Sequence, residues 1–159
     1  MLMFDKTEKT KTEQKELMTE KEAFQLIREW ADDLEVRLKD EDFEDLQREI
    51  WLEVKKERLS YDPDSETFNY VLKKPILTKD GAVKMSMIKI IESDMNGKRN
   101  IKKHKEDIDT VAEMFKSYCR DSEGNEIELG FITRIKDRDQ AIISAVILGF
   151  FVQAVPSSK

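Results

Sequence analysis

His104 is the only histidine, and it stands in a run of lysines, Lys102-Lys103-His104-Lys105, with no cysteine or clustered carboxylate beside it. A metal centre needs several ligands at fixed spacing, so His104 reads as a solvated surface residue. Without a second histidine or an activated thiol, nucleophilic catalysis lacks its usual general base. Cys119, the lone cysteine, falls in a helical pattern and reads as a packing residue. Asp62, Asp64 and Glu66 alternate, as do Asp137 and Asp139. Such carboxylates can hold Mg2+ or Ca2+, but residues 62–66 lack the glycine and bidentate glutamate of a calcium loop. Turn and capping roles account for them more simply. Gly97, Gly124, Gly130 and Gly149 are scattered, and no phosphate-binding loop or dinucleotide fingerprint occurs. The expectation is a protein that is not an enzyme and carries no metal or cofactor.

What remains is charge and apolar surface. Residues 29–45 hold nine acids against two basic residues, Arg37 and Lys39. Glu29, Asp32, Asp33, Asp40, Glu41, Glu44 and Asp45 form a candidate acidic partner face. A dense acidic helical face can imitate the charge of DNA, or it can simply keep a surface wet. Residues 1–60 carry 18 acids and 12 basic residues, and residues 61–159 carry 16 of each, so the net charge of −6 comes entirely from the first part. Broad nucleic-acid binding needs a basic surface, and no nucleic-acid partner is expected. The one basic cluster, Lys98, Arg99, Lys102, Lys103 and Lys105, could touch phosphates, pair with the acidic helices or be a wet face.

The last helical stretch is apolar on most of its circumference, through Ala141, Ile142, Ala145, Val146, Leu148, Phe150 and Phe151. Such a helix is either central to a core or covered by another chain. Ile142, Ala145, Val146, Phe150 and Phe151 are the candidate protein-binding residues, for a partner or for self-association.

These groups must be positioned by helices around one β-hairpin. Residues 1–18 read as a disordered, charged leader rather than a signal peptide. Thr19 and Glu22 form a capping-box pattern, followed by a helix with Phe24, Ile27, Ala31, Leu34 and Leu38 on one face and Trp30 widening it. A second helix starts with Asp40 or Asp42 as N-cap, carries Phe43, Leu46, Ile50 and Val54, and runs to about Arg58. Residues 19–60 are thus an acidic helical hairpin. Residues 61–65, with Pro63, form a turn and linker. Residues 66–153 form a second domain. Phe68, Tyr70 and Leu72 alternate with polar neighbours as a strand does. Asp80-Gly81 signals a type I′ turn, and Val83, Met85 and Met87 begin the return strand, whose phase slips at Ile88 and Ile90. A helix covers residues 105–119, residues 126–135 are ambiguous, and Asp137 caps the last helix. Residues 154–159 are a tail. A two-stranded hairpin is marginal alone, so the helices must cover it. The expected fold is α+β: an N-terminal helical pair, a hairpin or small antiparallel sheet, and C-terminal helices packed on it. No apolar run reaches the length of a membrane span, and a lone cysteine fits a reducing cytoplasm.

Residues 67–152 resemble the phage tail assembly chaperones, small proteins encoded just before the tape-measure gene of long-tailed phages. The matching pieces are Leu72-Lys-Lys-Pro75-Ile76, Asp80-Gly81, Ile88-Lys-Ile90-Ile91-Glu92, and Asp137-Arg-Asp139 through Gly149-Phe150-Phe151. The sequence departs from that pattern in the helical extension over residues 19–58 and in the basic stretch 93–105. The resemblance implies a non-enzymatic role. Its partner would be a tape-measure protein or tail-tube components, in the host cytoplasm, with an apolar helix covering the stripes of the tape measure until assembly. The alternative reading is an acidic DNA mimic that inhibits a basic nucleic-acid enzyme.

Overall fold

The computed structural model describes residues 18–93 and 108–152. The expected leader, the tail, His104 and the whole basic cluster of Lys98, Arg99, Lys102, Lys103 and Lys105 lie outside the described residues. Helix α1 spans Glu20–Asp33 and opens with the expected capping box. The Thr19 N–H donates to Glu22 Oε1 at 2.9 Å, and the Glu22 N–H donates to Thr19 Oγ1 at 3.0 Å. The bonds from Thr19 hold the Glu22 carboxyl below the usual glutamate range. The buried seam of α1 is Ala23, Ile27, Trp30 and Ala31; Phe24, Leu34 and Leu38 are only half-buried.

Helix α2 spans Asp40–Lys55. Its N-cap is Lys39, not Asp40 or Asp42, and it makes no side-chain cap bond. Asp40, Glu41 and Asp42 instead fill the first turn, where negative charge meets the positive end of the helix dipole. Both helices end in the same way. After α1, the Val36 N–H bonds Ala31 O and the Glu35 N–H bonds Asp32 O. After α2, Arg58 bonds Glu53 O and Glu57 bonds Val54 O. These are Schellman caps with a glutamate, at φ 55° and φ 60°, where glycine is usual.

The expected linker is a strand and a turn. Strand β1, Leu59–Asp62, pairs antiparallel with β2, Thr67–Leu77, from Leu59 opposite Tyr70 to Asp62 opposite Thr67. The Asp62 carboxylate accepts from the Asp64 N–H at 3.0 Å and from Ser65 Oγ at 3.1 Å, which closes the loop. A proline-bearing Asp-rich segment therefore joins two strands and separates nothing. Strand β3, Val83–Ile90, completes the expected hairpin, and β4, Cys119–Arg120, adds a short edge, in the order β1-β2-β3-β4. The hairpin loop is not type I′, since Gly81, at φ 88°, has positive φ and Asp80 does not. Gly81 N–H bonds Thr78 O and Thr78 N–H bonds Ala82 O, which is a turn followed by a left-handed glycine.

Phe68, Tyr70 and Leu72 face the core as expected. The phase slip has its cause across the ladder. Val71 lies opposite Met87, but the next pair is Ile76 with Met85, so residues 72–75 of β2 bulge out. Helix α3 spans Ile108–Tyr118. The ambiguous stretch 126–135 contains a bridge at Glu126 and a single helical turn, α4, Leu129–Ile132. Helix α5, Asp137–Val146, has Lys136 as its N-cap rather than Asp137, and continues as a π-helical turn over Ile147–Phe151.

One apolar core joins all of these elements. Its centre is Phe68, whose ring lies 4.7 Å from Phe150, 4.8 Å from Tyr61, 5.7 Å from Trp30 and 5.8 Å from Phe151. Residues from both sides of the expected boundary meet there, so the helical pair docks on the sheet. The fold is α+β, with a helical pair, a four-stranded antiparallel sheet and C-terminal helices. No helix among the described residues is long and apolar enough to cross a membrane.

Candidate protein-binding surfaces

The structure corrects the expected docking face. Ile142 is 9% exposed, Ala145 8%, Val146 0%, Phe150 2% and Phe151 6%. Helix α5 packs against both β2 and α2, so both of its wide apolar faces are covered from within. The π turn carries this further. Val152 N–H bonds Ile147 O, five residues back, at 2.8 Å. The wider turn lets adjacent Phe150 and Phe151 both reach Phe68. On the other side, Gly149 lies under Leu46 so closely that an added Cβ would come within 2.6 Å of it. The apolar pattern was legible; that one small protein covers both sides was not.

The acidic face is where the sequence put it. Glu29, Asp32, Asp33, Asp40, Glu41, Glu44 and Asp45 are all exposed. Asp33 accepts the Tyr61 hydroxyl, and Asp45 lies 3.6 Å from Arg48. Burial, and then the bond to Asp33, push the Tyr61 hydroxyl well above the usual tyrosine range.

Between α2 and the C-terminal end of α5 runs an open groove of about 590 Å³. Leu38, Ala145, Leu148 and Val152 give it an apolar floor, and Asp42 and Glu49 stand on the α2 wall. Leu148 is 46% exposed. Of the five expected binding residues, only Ala145 lines this open surface.

A polar cluster escaped the sequence reading. Asp139 is fully buried. Its Oδ1 accepts the Tyr70 hydroxyl at 2.7 Å and the Lys73 N–H at 3.0 Å, and Oδ2 accepts the Lys74 N–H at 3.1 Å. The two backbone donors belong to the bulge, where β2 has left the ladder, so Asp139 satisfies groups that no strand reaches. Burial, and then Asp139, raise the Tyr70 hydroxyl far above its usual range. The Lys73 side chain turns away to buried Glu53, with Nζ 3.3 Å from Oε2, and Arg58 lies on the other oxygen at 3.8 Å. A signal was available, because Asp139 falls three and four residues before Ile142 and Ile143 on the core face of α5. Over this cluster opens a second groove of about 1050 Å³, walled by residues 73–77 and 133–140.

Cys119 is fully buried, and burial drives its thiol far above the usual range, as suits a packing residue. Among the described residues no three metal-binding side chains gather. No protein-family model, curated protein or solved structure matches the chain. The arrangement offers surfaces for binding, and the two grooves at opposite ends of α5 are the candidates.

Proposed function

We propose that the chain is a non-enzymatic phage tail assembly chaperone or adaptor that shields an apolar helical tape-measure protein during tail assembly. The observation that carries this is the groove between α2 and α5, with its apolar floor around Leu148 and its acidic rim at Asp42 and Glu49. A helix with an apolar stripe and basic flanks fits such a groove. The acidic exterior of α1 and α2 keeps the loaded complex soluble by like-charge repulsion. Support also comes from two pieces of the resemblance, Leu72–Ile76 and Asp137–Asp139, which meet at the Asp139 cluster. The chain would work in the bacterial host cytoplasm. The test is binding of a tape-measure fragment by the wild type and by Leu148→Asp. Leu148 is exposed, so the variant folds; binding is lost. Undiminished binding by a folded Leu148→Asp overturns the proposal.

The exposure of all seven acids on α1 and α2 favours one other reading, a DNA mimic that inhibits a basic nucleic-acid enzyme. It requires binding to a basic protein that DNA displaces at low salt. Absence of that competition removes it.

A further inference from the structure

The second groove has the opposite charge to the exposed faces of α1 and α2. Lys74, Arg134, Lys136 and Arg138 are exposed along its walls, and Asp137 is the one exposed acid among them. Asp139 is buried and fully used by its three donors. Arg134 is partly engaged, since its guanidinium donates to Leu77 O and lies 5.8 Å from the Phe131 ring. Lys74, Lys136 and Arg138 form no ion pair with any described residue. Helix α5 starts at this groove, and its N-cap, Lys136, supplies no side-chain acceptor to the first turn. The wall already takes one carboxylate, that of Asp139, through two backbone N–H groups.

We propose that this cationic groove binds an acidic segment of a partner protein. Carboxylates of such a segment would pair with Lys74, Lys136 and Arg138. A long polyanion fits less well, because a net charge of −6 and the acidic α1–α2 exterior repel it outside the groove. A short acidic stretch confined to about 1050 Å³ meets mainly the cations. The inference stands apart from the tape-measure proposal, which uses the other end of α5.

The probe is a fluorescent peptide of about eight Asp and Glu residues, read by anisotropy. The wild type binds it, and binding weakens as salt rises from about 50 to about 300 mM. Lys74→Glu with Arg138→Glu weakens binding about tenfold or more. Lys21→Glu with Lys116→Glu, an equal charge change at exposed sites on α1 and α3, weakens it less than about threefold. Should the first pair impair folding, Lys74→Gln with Arg138→Gln gives the same comparison without reversed charge. Four results overturn the proposal. They are no binding by the wild type, equal loss in the two pairs, tighter binding of an oligonucleotide of equal length, and self-association of the wild type that the groove pair abolishes. The last would make a second copy the occupant.

Discussion

The two ends of α5 carry opposite surfaces. At its C-terminal end, small and apolar side chains sit against α2, and the exposed remainder is an apolar floor beneath Asp42 and Glu49. At its N-terminal end, a buried carboxylate fastens the helix to a strand that has bulged from its ladder, and cations surround the opening. One helix thus uses two kinds of adhesion. Gly149 permits contact by shape, and shape tolerates small adjustments. Asp139 holds by directed hydrogen bonds, all three of which are lost together when the carboxylate is removed. The difference teaches where variation is affordable: the apolar end can be repacked, whereas the polar end is all or nothing.

The largest effect expected is at the polar end. Asp139→Ala leaves the buried Tyr70 hydroxyl and the part-buried Lys73 and Lys74 N–H groups without their acceptor. It destabilises by about 2–4 kcal/mol, measured as a shift of the urea midpoint at unchanged slope. A loss under about 1 kcal/mol would mean that water replaces the carboxylate. At the apolar end, Gly149→Ala drives a Cβ toward Leu46 Cδ1 and costs about 1–3 kcal/mol. The double mutant Gly149→Ala with Leu46→Ala loses less than the sum of the two single losses if the Leu46 contact is the cause, and additive losses would exclude it.

Tyr70→Phe removes one of three donors to Asp139 and costs about 1 kcal/mol at neutral pH. It also has a pH signature. The hydroxyl of Tyr70 titrates higher in the folded state than the ordinary value of 10.0. Its contribution is complete below pH 10.0 and is lost as pH rises above it, because the unfolded chain ionises first. Alkaline unfolding of the wild type is therefore steeper than that of Tyr70→Phe, and parallel profiles would assign the steepness to other tyrosines such as Tyr61. The smallest effect lies outside both ends. Glu57→Gly relieves a left-handed glutamate at φ 60° and, against the greater freedom of glycine in the unfolded chain, stabilises by about 0.5 kcal/mol; thermal unfolding detects it as a rise in Tm.

Much of the fold could be read directly. Thr19 and Glu22 announced α1, the alternation of Phe68, Tyr70 and Leu72 announced β2, and Gly81 marked the turn after it. Strand β1 was hidden because four residues, Leu59–Asp62, are too few for a periodic signal and run straight into Pro63. The N-caps lie at Lys39, one or three residues before the expected Asp40 or Asp42, and at Lys136, one before Asp137, since acids in a first turn and acids at a cap look alike in sequence. The site was less legible. The exposure of the seven acids on α1 and α2 was legible, because exposed charge needs no tertiary contact to explain it. The docking face was not, because an apolar residue looks the same whether its cover is another chain or its own.

The sequence by itself determined which segments are helical, which alternate, and where the negative charge lies, because those follow from local spacing and side-chain type. Only the tertiary structure decided that Phe150 and Phe151 turn inward onto Phe68, that residues 61–65 join two strands, and that Asp139 closes the bulge of β2. The first and the last are contacts between residues far apart in the chain, and the second rests on a strand pairing too short to show a period. Which surface of an apolar helix stays open is settled by how many partners the fold brings to it, and no spacing along the chain records that number.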